Sequence, residues 1–215
     1  MRSAFTASVL LLCAACAAPP SGPHFVTLKA DYGCGAAEGL GCGLAIAPVL
    51  ERIDGLDGVA ESRASWDGQW FRIEVRPGAD PDAVAAAAAA VLEGDATCVA
   101  KSRGKAAAGE PDTWYSAAET VALSRHEAGV IASGLSATVE SEVALAPDDA
   151  RRLQDVLREE LQKAFEQAHA DGGGVHRLWE RLPESWPRFE ARLAEFLTPA
   201  QAGQVAQIVE REIGA

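Results

Sequence analysis

The sequence predicts an α+β protein: a β-α-β-β-α-β unit over residues 24–101, followed by an all-α unit over 112–215. Three observations carry that expectation. A period-two apolar pattern runs on both sides of Asp67-Gly68, an alanine-rich segment has clear start and stop signals, and beyond residue 112 the apolar residues recur at helical spacing.

Taken in order, Phe25, Thr27 and Lys29 alternate with Val26, Leu28 and Ala30, the pattern of a first strand. The glycine-rich stretch 31–43 follows as a loop carrying two thiols, Cys34 and Cys42. Ile46, Val49, Leu50, Ile53 and Leu56 then fall on one helical face, which places Pro48 in the first turn of that helix, where a missing N–H costs nothing. The hairpin comes next. Val59, Glu61, Arg63 and Ser65 share one face of its first strand, Phe71, Ile73 and Val75 mark the buried face of its second, and Asp67-Gly68 can take the positive φ of a tight turn.

Asp80-Pro81 reads as an N-cap with proline at the first helical position, Ala83–Leu92 is built from the best helix former, and Gly94 stops it. Ala96–Lys101 is the expected last strand, and the small, polar stretch 102–111 the expected linker. In the second unit a helix is expected from Trp114, interrupted near Gly129 and Gly134. A second carries Leu153, Val156, Leu157, Leu161 and Phe165 and ends at Asp171–Gly174, a third carries Phe189, Leu193 and Phe196 after Pro187, and the last follows Thr198-Pro199. Leu145–Leu161 and Leu197–Ile213 align at an offset of 52 residues, each a leucine and a proline followed by an apolar stripe.

The order β-α-β-β-α-β is the split arrangement of ferredoxin-like folds. The strand, the Gly- and Cys-containing loop, the helix, Gly58-Val59 entering the hairpin and Pro77–Asp82 leading to a second helix together resemble a heavy-metal-associated domain over residues 24–101. That family carries Cys-x-x-Cys in the loop, whereas Cys34 and Cys42 have seven residues between them. Leu197-Thr-Pro-Ala-Gln201 resembles the Leu-Thr-x-x-Gln motif of periplasmic stress and metal-responsive helical proteins.

Residues 1–16 have one positive charge, a short apolar run and small residues, as an export signal does. Cys13-Ala-Ala-Cys16 resembles a bacterial lipobox, which makes Cys16 the expected lipidation site and residues 17–23 a tether to the membrane; cleavage near Ala18 would instead release a soluble periplasmic or secreted protein. The expected location is the cell envelope, with an envelope protein as a possible partner. A net charge of −12, with 12 acids against 9 bases over residues 1–109 and 19 against 10 over 110–215, argues against nucleic acid.

In an oxidising compartment the three remaining cysteines, Cys34, Cys42 and Cys98, leave two readings open. As thiolates they are the candidate ligands of Cu(I), Zn(II) or Hg(II). As a structural pair, Cys34 and Cys98, at the end of strand one and the start of strand four, form a disulfide and no metal is held. His169 and His176 flank the Asp171–Gly174 break and with Asp171 form a weaker set of borderline ligands, while His126-Glu127 lacks the second histidine of a zinc-protease motif. Trp114, Trp179 and Trp186 read as core anchors. With no nucleophile elbow or phosphate loop, and no Cys-x-x-Cys past the signal segment, no enzyme is expected. The two functional expectations are a metal-binding envelope lipoprotein that senses, buffers or delivers an ion, and a structural or interaction lipoprotein stapled by a disulfide.

Overall fold

The computed structural model describes residues 23–95, 101–103 and 113–213. Its first half contains β1 (His24–Ala30), α1 (Gly43–Asp54), β2 (Val59–Ser65), β3 (Trp70–Val75), α2 (Pro81–Glu93) and β4 (Lys101–Arg103). A two-residue strand, β5 (Trp114–Tyr115), precedes four helices: α3 (Thr120–Glu142), α4 (Pro147–Ala170), α5 (Val175–Leu193) and α6 (Pro199–Ile213). The sheet is antiparallel at every pairing and runs β4-β1-β3-β2-β5.

The hairpin forms where alternation and Asp67-Gly68 place it, with Gly68 at φ 71°. Its first strand differs in one respect. The register slips between Val59 and Glu61, and this bulge changes which residues face inward. Val59, Ser62 and Ala64 are buried while Glu61 and Arg63 lie on the outer face and pair with each other. The buried Ser62 is satisfied by α1: its amide donates to Asp54 Oδ1 at 2.6 Å and its hydroxyl to the Leu50 carbonyl at 3.3 Å.

α1 departs from expectation at Pro48, which lies inside the helix rather than in its first turn. A proline there leaves the carbonyl four residues back, that of Leu44, without an intrahelical donor. The second half supplies one: Gly174 N–H donates to Leu44 O at 3.1 Å, with Gly174 at φ 91° in the turn between α4 and α5. The Asp171–Gly174 break is therefore a cap for a helix more than a hundred residues earlier in sequence.

α2 begins and ends as its signals require, with Asp80 accepting from the Asp82 amide and Pro81 first in the helix. α1 and α2 pack on each other and, with Leu28, Phe71 and Ile73 of the sheet, form one core cluster. Of the expected last strand, residues 96–100 lie outside the described residues; the part that is described pairs Lys101 with Ala30, Ser102 with Lys29 and Arg103 with Leu28, so Ser102 and Arg103 are paired in the sheet.

Trp114 starts no helix. It pairs with Ser65, and Tyr115 with Ala64, as the outer strand β5. α3 then runs without interruption through Gly129 and Gly134, because its buried face (Leu123, Ala128, Ala132, Leu135, Val139) packs along α4, and tertiary contact outweighs two glycines. α5 is likewise longer than expected, starting at Val175 and containing Pro183 and Pro187. At α6 the Leu-Thr-x-x-Gln residues form a capping box: Thr198 N–H and Oγ1 donate to Gln201 Oε1 at 3.2 and 2.8 Å, and Gln201 N–H donates back to Thr198 Oγ1 at 3.3 Å. No helix among the described residues is long and apolar enough to cross a membrane.

A candidate thiol and carboxylate site between the two halves

The site lies where α1 meets α3. Gly43, first residue of α1, is pressed so closely on α3 that a Cβ there would stand 2.6 Å from the Thr120 carbonyl oxygen. Only glycine fits this approach. It brings the amide end of α1 to Glu127, whose Oε2 accepts from Gly43 N–H at 3.3 Å. Cys42, at the N-cap position of α1, makes no side-chain cap bond, so a carboxylate from another helix satisfies one of the orphan amides.

Cys34 and Cys42 come together at this carboxylate. The loop between them is closed by Cys34 N–H to Leu40 O at 2.7 Å and Cys42 N–H to Tyr32 O at 2.8 Å. Neither thiol is in a disulfide among the described residues. Burial pushes the Cys34 thiol up from 9.0 to about 12, and the neighbouring Glu127 charge and a hydrogen bond to that carboxylate add to the shift. Cys42 is raised for the same leading reasons, burial and then the Glu127 charge. Burial raises Glu127 as well, against the lowering effect of hydrogen bonds from both thiols and from Gly43 N–H. At neutral pH the two sulfurs are therefore protonated donors to Glu127 and poor nucleophiles.

The group opens into a cavity of about 660 Å³ walled by the Cys34 loop, the start of α1, α3, α4, the first half of α5 and the end of α6. Ile131, Leu135, Leu161, Phe165, Leu178 and Leu182 line it, and Trp179 stands at its edge. Trp179 is 51% exposed, so it is not the core anchor expected of it, whereas Trp186 packs on Phe189 with ring centroids 5.3 Å apart.

Cys34 and Cys42 are thus brought together, and Cys98 and Cys16 lie outside the described residues. The histidine set does not assemble. His169 Nε2 is 3.0 Å from Ser124 Oγ, Asp171 is engaged by Arg181 at 2.7 Å, and His176 is exposed beside Gly174. Among the described residues no group of three or more His, Cys, Asp or Glu is arranged to hold a metal ion. Glu127 is the member that sequence reasoning missed. Its signal was its place on the buried face of α3, four residues after Leu123 and four before Ile131, where a charged residue is out of keeping with its neighbours.

No protein-family model matches this chain, and comparison with the curated proteins and with the solved structures finds no match.

Proposed function

We infer that this chain is a non-catalytic binding protein of the cell envelope, anchored through Cys16, whose Cys34 and Cys42 thiols take a thiophilic cation. The strand order β4-β1-β3-β2 with α1 and α2 packed on one another supports the ferredoxin-like reading of the first half. The observation that carries the binding function is the convergence of two thiols, with seven residues between them in sequence, on one buried carboxylate.

The donor set narrows the ion. Two soft sulfurs without a third described ligand suit Cu(I) or Hg(II), which accept two-coordinate thiolate sites. Zn(II) wants four ligands and fits the described residues poorly. Both thiols must give up their protons on binding, so affinity should rise by up to about 100-fold per pH unit, two protons being released. Glu127, placed between them, is the first acceptor for those protons.

The test is an anaerobic titration of the full-length mature protein with Cu(I) against a competing chelator. One ion per chain, lost in Cys34→Ser and in Cys42→Ser, is the expected result. No uptake, together with a Cys34 to Cys98 bridge in an unreduced peptide map, would leave the stapled scaffold instead. The anchor has its own test: Cys16→Ala should release the protein from membranes into the soluble fraction.

A further inference from the structure

The cavity into which Cys34, Cys42 and Glu127 open is mostly apolar, and its lining suits a ligand other than a metal ion. Protein interiors are packed to the density of organic crystals, and an apolar space of about 660 Å³ is far larger than ordinary packing leaves. It falls within the range of small-molecule sites, which are mostly apolar with one or two polar groups that fix orientation.

The polar groups here have one sign. Among the described residues no lysine, arginine or histidine lines the cavity, and the carboxylates that do are Glu127 and Glu212. Glu212 is already held by Arg211 at 2.9 Å. Glu127 is different: it is 1% exposed, and no cationic side chain among the described residues pairs with it. A buried carboxylate held only by an amide and two thiols, at the inner end of an apolar chamber, is complementary to a positive charge carried on an apolar body. The chain's net charge of −12 favours the same kind of ligand by drawing cations and repelling anions.

We propose that the cavity between α3, α4 and α5 binds a lipophilic organic cation, an amine whose apolar body lies against Leu135, Phe165 and Leu178 and whose ammonium group pairs with Glu127. The first half of α5 covers that body, and access lies beside Trp179. The proposal stands on the cavity wall and the Glu127 carboxylate, which Cys34 and Cys42 adjoin, and not on metal uptake by the sulfurs.

The experiment uses the full-length mature protein and three ligands that share one body, dodecylamine, dodecanol and dodecanoate, each displacing the neutral fluorophore N-phenyl-1-naphthylamine below its aggregation limit. The amine should bind at least tenfold more tightly than the alcohol, and the carboxylate should not compete. Glu127→Gln should bring the amine down to the level of the alcohol. Gly134→Phe should abolish binding of all three, because Gly134 lines the cavity and a Cβ there meets nothing within 4 Å, which leaves room for a ring. The Cu(I) titration reads the thiols and the ligand series reads the cavity and its charge, so failure of one reading is separate from failure of the other. Dodecanoate binding as tightly as the amine, or undiminished binding in a folded Gly134→Phe protein, would overturn the proposal. The ligand series on the unmodified protein tests the charge preference even where a variant proves unstable.

Discussion

Glu127 and Glu160 are both buried, at 1% and 5% exposure, and their surroundings are opposite. Glu160 on α4 meets three cations: Arg188 Nε donates to Oε2 at 2.6 Å, and Lys163 and Arg192 approach Oε1 at 3.2 and 3.3 Å. Burial alone would raise its pKa, but hydrogen bonds from Arg188, Lys163 and Arg192 outweigh burial and hold it below 4.5. Glu127 has burial without a cation, and its pKa is raised. One carboxylate is spent on tying α5 to α4; the other is left short of a counter-charge beside an open cavity. That contrast is what separates a structural acid from a candidate binding acid in this molecule.

The sharpest way to break the contrast is at Gly43. Alanine there must push α1 off α3 and carry Gly43 N–H away from Glu127, and overpacking of this kind costs about 3 kcal/mol. Urea denaturation of Gly43→Ala should show that loss, and a variant as stable as the parent would mean the seam is looser than described. Glu160→Gln comes next. Arg188 and Lys163 are half in water, at 52% and 53% side-chain exposure, so the loss should be held to about 2 kcal/mol. Because the folded pKa of Glu160 is depressed, its contribution is present above the unfolded value of 4.5 and disappears as pH falls through the folded pKa. The stability gap between parent and variant should stay constant from neutral pH to mild acid and close only below 4.5.

Glu127→Gln should change stability least at neutral pH, within about 1 kcal/mol, since the amide oxygen can still accept from Gly43 N–H. Its pH signature is reversed. A raised folded pKa means that the acid's favourable contribution is fully present below 4.5 and is lost as pH rises through the folded value. The parent should therefore gain on the variant as the solution is acidified. Parallel stability curves for the two proteins would remove the distinction from Glu160. The smallest effect is kinetic: with thiols raised by burial and then by the Glu127 charge, iodoacetamide should modify Cys34 and Cys42 slowly in the folded protein, and somewhat faster once Glu127→Gln removes that charge.

Local chemistry made much of the first half legible. Asp80-Pro81 with Gly94, and Asp67-Gly68 between alternating strands, state their structure within a few residues. The misreadings share a cause, a requirement met from far along the chain. Pro48 breaks a helix unless another segment takes the Leu44 carbonyl, and Gly174 does so. Trp114-Tyr115 is too short to signal a strand without Ala64 and Ser65 opposite. Pro187 read as a boundary, yet α5 continues through it and through Pro183 while Leu178, Phe189 and Leu193 stay buried. The site followed the same rule. Its two thiols were visible in the glycine loop, and the carboxylate they meet was hidden 84 residues beyond Gly43.

β5 has a consequence for life in a crowded compartment. An outer strand with free backbone groups is a template on which further chains can add, and β2 would offer one. Trp114 and Tyr115 occupy its end at Ser65 and Ala64, while the Glu61 and Arg63 side chains put charge along the remainder. The edge is thus capped by two residues of the chain's own second half and guarded by an ion pair. Loss of Trp114-Tyr115 would be felt first as strand-to-strand aggregation, before any loss of the fold itself.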